Sequence, residues 1–582
     1  MTESFSTRYV PDEGPENAKI VFVGEAPGAD EDRLGQPFIG ESGNKLTTCL
    51  GRNGLSREEV RLANLFHYKP PKNDFSKTLD DPRLHESIAE LKTYLDTHRP
   101  NVVCALGNWP LYFLTRKQGK KPGSGILNWR GSILECTLVP GIKVIPTIHP
   151  AAVLREASHY PTFDLDIRRV KEDSLFPELR LPERSHNIIH YDDTITIQKT
   201  VDELMSAKRL SVDIETFGPR LACVGFSSDP MHGHCFIWSD NSFSVREAIT
   251  TLLDSNIPKT FHFGTFDTEY LHGFYGIETR NYDWDTMVGQ HIMAPELPRA
   301  LKYLSSIYTR EPYYKDEGRE AQEDNKRWNA RTNPDKLWIY NSKDCCVTAE
   351  IQLEQEREMK EGPEQWTDYF KYEMELARDV LPEIMRAGML VDMDRRKLLD
   401  GALLYEYQER QQGLQYACGA NVNVNSPKQV QQLLYWNFGL PPRINKRGKR
   451  TADGDALISL LQLCTEKMHE VKRESTKEEW MKKALSIKLI LLTRQTRKLR
   501  SSYVNAKVSP DGRWRSTYKV AATETGRLAA EKYVDGTGFN AQTMPRDPLE
   551  IDDEIYAKLL AGEAPQFEVE NEEDEDDESE ED

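Results

Sequence analysis

Short apolar runs separated by long helix-like stretches constrain the fold of this chain more than any other feature. KIVFVG, NVVCALG and IKVIPTI recur across roughly the first 175 residues. Strand-forming runs alternating with helical stretches are the rhythm of an α/β sandwich. A second strand set, RLSVDIET and LACVGFSS, follows the linker-like FPELRLPERSH (176–186), and helical sequence continues to about residue 355. The reading is therefore an α/β multidomain protein. Its blocks are 1–175, 187–355, a mostly helical 365–510 rich in Leu, Gln, Lys and Arg, a short strand-like and turn-rich 511–548, and a tail, 549–582. At roughly 100–200 residues per domain, the 582 residues suit such a division.

Charge is distributed unevenly. The last fifteen residues, EVENEEDEDDESEED, hold twelve acidic groups, which account for all but −6 of the net −18. We read them as a disordered acidic tail beside basic clusters such as RINKRGKR and RQTRKLR. An acidic total therefore does not exclude nucleic acid, because placement matters more than the sum. No apolar run approaches the roughly 18 residues of a membrane span, so no membrane partner is expected. The polar start MTESFSTRYVPDEGPEN has no secretory pattern. The nine scattered cysteines contain no C-x-x-C and read as reduced thiols of a cytoplasmic protein.

In LSVDIET, Asp213 and Glu215 alternate with apolar residues and so share one face of a strand. Two adjacent carboxylates repel unless a cation neutralises them, and a divalent metal is the expected cation. FHFGTFD supplies Asp267, and YNSKD supplies Tyr340 and Asp344 at i and i+4 on one helix face. Four oxygen ligands from three segments suit two Mg²⁺ or Mn²⁺ ions for phosphodiester hydrolysis, with Tyr340 one helical turn from a ligand and able to orient water. In this order the motifs resemble the 3′–5′ proofreading exonuclease domains of family A DNA polymerases. The resemblance implies an RNase H-like fold, with Asp213, Glu215, Asp267, Tyr340 and Asp344 as the catalytic set. Asp285 in WDTM fits the same pattern. Phe263 stands where these enzymes usually carry Asn.

In the first block, FVGEAPGADEDRLGQPFIGESG runs a strand into a Gly/Pro loop, and VIPTIHPAAVLR places His149 just after another strand. Together with Asn64 in RLANLFHYKPPKND and with ALGNWP, these resemble the family-4 uracil-DNA glycosylases. The resemblance implies an α/β/α sandwich whose pocket is shaped by Glu25. Glu31 would be an acid near water or sugar, Phe38 would stack on a flipped base, Asn64 would read its edge, and His149 would stabilise departing uracil. That family holds an iron–sulfur cluster on four cysteines. This block has only Cys49, Cys104 and Cys136, unsuitably spaced, so no cluster is expected.

LPEIMRAGMLVDMDRRKL, NVNSPKQVQQLLYWNFGLPP and LILLTRQTRKLRSSYVNA resemble the opening and the thumb of a family A polymerase. Arg494, Arg497, Lys498 and Arg500 would form a basic face for phosphates. TETGRLAAEKYVDGTGFNAQTMP resembles the start of the palm, with Arg527, Asn540 and Gln542 as DNA contacts. The usual palm and fingers segments, DYSQIELR and HDE, do not occur, and nucleotidyl transfer needs them. The domain order resembles certain bacteriophage replicative polymerases. It implies the proofreading half of a split or interrupted enzyme in a host cytoplasm; the alternative readings are a non-enzymatic DNA-binding scaffold or processivity subunit, and a uracil-DNA glycosylase repair protein. DNA, both single strand and primer–template, is the expected partner, together with a second chain carrying palm and fingers.

Overall fold

The computed structural model describes residues 5–316, 335–445 and 448–544. The first apolar runs form one sheet. Its strands are β1 (Ile20–Gly24), β2 (Arg61–Asn64), β3 (Val102–Leu106), β4 (Leu134–Glu135) and β5 (Lys143–Thr147), in the order β2-β1-β3-β5-β4. β1, β2, β3 and β5 are parallel, and β4 is antiparallel to β5. Every residue of β1, β3 and β5 is buried. Their runs are continuous because helices cover both faces of a parallel sheet. Alternate residues divide between two cores. Val21, Val23, Val103 and Ala105 pack on one face, and Ile20, Phe22, Val102, Cys104 and Leu106 on the other.

The second set forms a six-stranded mixed sheet from β6 (Ser185–Ile189), β7 (Leu210–Phe217), β8 (Arg220–Asp229), β9 (His232–Ile237), β10 (Lys259–Phe261) and β11 (Tyr282–Asp285). Its order is β11-β10-β7-β8-β9-β6. β7 is central, parallel to β10 and antiparallel to β8. The long helix Asp335–Glu361 lies on β7, β8 and β9. It approaches closely because Gly225 and Gly233 have no Cβ, which at either position would collide with the Asn341 or Ser342 side chain.

Both sheets belong to one compact unit, Met1–Pro382 with Lys519–Ala529, while Glu383–Tyr518 and Ala530–Asp582 form a second. Within the first unit, buried ions of the first α/β domain stand beside the second. Arg130 pairs with Asp166, with Nε 3.0 and 2.9 Å from the two carboxylate oxygens, and its Nη1 donates to Ser306 Oγ at 2.6 Å. Lys143, on β5, is wholly buried, and its Nζ donates to the carbonyls of Asp173 and Phe176, each at 2.6 Å. Helical chain resumes at the helix Glu364–Glu375, and the first unit continues to Pro382. Phe370 and Met374, on the helix Glu364–Glu375, are buried, and the Phe370 ring lies 4.2 Å from that of Trp284 on β11.

In the second unit the helices Met393–Cys418, Gly454–Glu470 and Glu474–Lys498 share a core that includes Leu414, Leu434, Leu457, Leu460, Ile487 and Ile490. The strand-like block supplies Arg513–Trp514, Ser516–Lys519 and Ala529–Lys532. Residues 545–548 and the acidic tail, 549–582, lie outside the described residues. Among the described residues, no helix is long and apolar enough to cross a membrane.

Candidate nuclease and base-binding sites

β7 carries Asp213 and Glu215 on one face, and the helix Asp335–Glu361 brings Asp344 to them. Carboxylate oxygens of the three lie within 4.8 Å of one another. The β7–β8 register slips between Glu215 and Thr216. An irregularity of this kind re-aims side chains at the end of a strand. Asn341 fixes Asp213 by donating from Nδ2 to its Oδ2 at 2.8 Å and to its carbonyl at 3.1 Å. Burial, then the charge of Asp344, pushes the Asp213 carboxyl up to about 8. A hard-oxygen set that cannot ionise comfortably by itself fits a divalent cation.

Asp267 stands apart from that trio. It is buried on the helix Gly264–Tyr275, and its Oδ1 accepts the backbone N–H of Ile214 at 3.0 Å. Burial, then Asp213, raises its carboxyl well above the ordinary range. Tyr340 lies one turn before Asp344, and its hydroxyl accepts from Lys315 Nζ at 2.8 Å. Asp285 serves the backbone. It accepts from the N–H groups of Phe263 (3.1 Å), Gly264 (2.9 Å) and Met287 (2.8 Å), fixing the turn before the Asp267 helix. Phe263 occupies that turn in the left-handed region, with φ 59° and ψ 47°. This conformation costs a residue with a Cβ about 1–2 kcal/mol and is tolerated best by Gly, Asn or Asp. Three contributors were missed from the sequence: Asn341, Tyr314 and Lys315. Asn341 is adjacent to Tyr340 in the quoted YNSKD. Tyr314 and Lys315 follow no pattern that sequence reasoning could use.

A second group of candidate residues gathers at the C-terminal ends of the parallel strands β1, β2, β3 and β5, where open α/β sheets bind ligands. Gly24 ends β1. A Cβ there would lie 2.7 Å from Asn64 Oδ1 and 2.7 Å from Phe38 Cζ, so an aromatic face and an amide oxygen converge on a bare backbone. Gly107 follows β3. A Cβ there would meet Glu25 Oε1 and His149 Cβ, each at 3.1 Å. His149 Nδ1 accepts the N–H of Ala151 at 3.1 Å, which caps the helix Pro150–Arg155. Burial lowers the imidazole to about 4 and raises Glu25 to about 7.

Two stretches of the chain match known families. Residues 11–171 match the uracil DNA glycosylase superfamily, and residues 188–360 match a 3′–5′ exonuclease family. The type-4 uracil-DNA glycosylase of Archaeoglobus fulgidus is 36% identical over 171 residues, covering 28% of this chain and 82% of that protein. The chain belongs to the uracil DNA glycosylase superfamily. Behind its glycosylase domain stands a 3′–5′ exonuclease domain of the DNA polymerase I type. DNA polymerase I of Bacillus subtilis is 30% identical over 192 residues, which are 32% of this chain but 18% of that protein. The POL domain of Pol1 from M. smegmatis, solved in complex with DNA primer-template and dNTP, is similar at 17% identity with a TM-score of 0.42. That similarity covers 64% of this chain and 57% of the other.

Several expected site residues have other work. Glu31 in the glycosylase domain accepts three backbone N–H groups, those of Gly28 (3.1 Å), Ile39 (3.1 Å) and Gly40 (2.9 Å). Its carboxylate holds the loop that presents Phe38. Cys49 and Cys104 are buried in the core on one face of the sheet and Cys136 in the core on the other. In the second unit, Arg494 donates to the carbonyls of Val424 and Ala452, each at 2.7 Å, and Arg500 pairs with Asp400 at 2.7 Å. Arg497 and Lys498, between them, are exposed. Arg527 is exposed in a loop held by Arg299, which donates to the carbonyls of Thr523 and Ala522, each at 3.2 Å. Asn540 Oδ1 accepts the N–H of Gln542 at 3.1 Å in a short turn, and Gln542 is exposed.

Proposed function

We propose that this chain is the proofreading portion of a polymerase I-like replication protein, hydrolysing DNA from its 3′ end. The observation that carries this reading is the convergence of Asp213, Glu215 and Asp344 within 4.8 Å at the end of a central strand, inside a domain of the exonuclease family. Asp213, Glu215, Asp267 and Asp344 would hold two Mg²⁺ or Mn²⁺ ions, while Asp267 Oδ1 also braces the strand at Ile214. When bound, such ions supply the Lewis acidity that activates water and stabilises the departing 3′ oxygen. Asn341 keeps the Asp213 carboxylate aimed, and the Tyr340 hydroxyl faces the same site. The helical second unit would grip primer–template through Arg497 and Lys498, with Asn540 and Gln542 as further contacts, and Arg527, on the first unit, would be a separate DNA contact. A 5′-labelled single strand with Mg²⁺ tests the nuclease.

A second activity is favoured by the side chains that converge on Gly24 and Gly107. A flipped base lying over Gly24 would stack on Phe38 and offer a donor edge to Asn64 Oδ1. Because His149 Nδ1 is an acceptor, the neutral ring carries its proton on Nε2. From there it can donate to an oxygen that gains negative charge as the glycosidic bond breaks. Uracil excision is read by alkali cleavage of a strand with one uracil. Retention of both DNA binding and an uncut strand would leave this domain a binding module.

A further inference from the structure

We propose that Lys315 is a built-in counter-cation of the exonuclease centre, held on Asp344 by a strap that the glycosylase domain anchors. This rests on the nuclease reading above. Lys315 Nζ lies 2.6 Å from Asp344 Oδ2, 2.8 Å from Asp344 Oδ1 and 2.8 Å from the Tyr340 hydroxyl. An ammonium group has three N–H bonds and no acceptor, so these contacts saturate it. The neighbouring Tyr314 hydroxyl also donates to Asp344 Oδ1. One of the three carboxylates of the trio is thus already neutralised by the protein's own cation.

What delivers Lys315 is a stretch of chain fastened to the other domain. The helix Leu301–Tyr308 and residues 309–316 run along the glycosylase domain. Arg169 donates to the carbonyls of Ser306 and Thr309. Arg310 pairs with Asp173 at 2.7 and 3.1 Å. The Tyr313 N–H donates to Ser132 Oγ at 3.1 Å, and its ring meets Trp129 edge-on at 5.1 Å. Two residues after Tyr313 stands Lys315. The glycosylase domain therefore fixes the register of the residue that faces Asp344.

The consequence is a competition. A divalent ion on Asp213, Glu215 and Asp344 and an ammonium on Asp344 answer to the same negative charge and repel each other. Metal loading must move Lys315 off Asp344, and the strap resists that movement. Lys315 acts through Asp344 and Tyr340 and is a positioning residue. A strap loosened by events in the glycosylase domain would release it and favour metal.

The test is calorimetric titration of Mn²⁺ into the full chain, with melting transitions as the control for folding. Lys315→Met is expected to bind Mn²⁺ about tenfold tighter than wild type, the effect of roughly one lost charge contact. Lys315→Arg, which keeps the charge, is expected to stay near wild type. Arg310→Ala, remote from the carboxylates, is expected to tighten binding several-fold by freeing the strap, and it serves if Lys315→Met does not fold. Equal Mn²⁺ affinity in wild type, Lys315→Met and Arg310→Ala would overturn the proposal and leave the nuclease reading standing. No Mn²⁺ binding in any of them would remove both.

Discussion

His149 accepts, at Nδ1, the backbone N–H of Ala151 across 3.1 Å. This contact fixes the tautomer of a buried imidazole whose proton affinity burial has lowered to about 4. The ring is neutral throughout the physiological range and carries a single aimed donor, Nε2–H. Replacing His149 with Ala should lower uracil excision by about 100-fold or more while leaving DNA binding in place, measured by alkali cleavage of a uracil-containing strand. The neutral ring contributes stability that is fully present above its ordinary 6.5 and is lost as pH falls toward about 4.

Glu25 should dominate the pH response of the same pocket near neutrality. Burial lifts it from 4.5 to about 7, against a lowering hydrogen bond from the Trp109 backbone. A group raised in the folded state contributes stability fully present below 4.5, and that stability is lost as pH rises through about 7. The pH profile of excision between 5.5 and 8.5 should therefore break near 7. Glu25→Gln should flatten it, because His149 does not titrate in that window.

The ion pair between Arg130 and Asp166 should be a major support of the first unit. Asp166 also accepts from Thr147 Oγ1 at 2.7 Å. Asp166→Ala would strand a wholly buried guanidinium, at a cost of roughly 3–5 kcal/mol, read as a lowered urea midpoint. Asp166→Asn should cost less, since the amide still accepts one hydrogen bond.

Within one basic stretch the second unit separates folding from DNA contact. Arg494→Ala leaves two carbonyls without their donors and should destabilise that unit by roughly 2–3 kcal/mol. Arg497→Ala with Lys498→Ala should leave its melting unchanged and weaken primer–template binding, with a shallower dependence on salt. Fluorescence anisotropy at two salt concentrations distinguishes the two outcomes.

Strand content was the most legible part of this sequence, because continuous runs such as IVFVG and VVCAL are what a sheet buried on both faces requires. Alternation in LSVDIET likewise placed Asp213 and Glu215 on one face. What escaped was which polar atoms the backbone had already claimed. Glu31 and Asp285 look like site acids in one dimension, yet each satisfies three backbone N–H groups. Arg494 and Arg500 have the spacing of a phosphate-binding face, and spacing cannot tell solvent from a neighbouring carbonyl or from Asp400. Lys315 reaches Asp344 only through the packing of two domains, a relationship that no local pattern encodes.

The central claim is that Asp213, Glu215 and Asp344 form a metal-dependent 3′–5′ nuclease centre. The most direct measurement follows a 5′-labelled single strand with Mg²⁺ or Mn²⁺, comparing wild type with Asp213→Ala. The account predicts a descending ladder with wild type, none with Asp213→Ala and none when chelator removes the metal. Folded wild-type protein that leaves the strand intact with either ion, or an Asp213→Ala variant that degrades it equally well, would contradict the account.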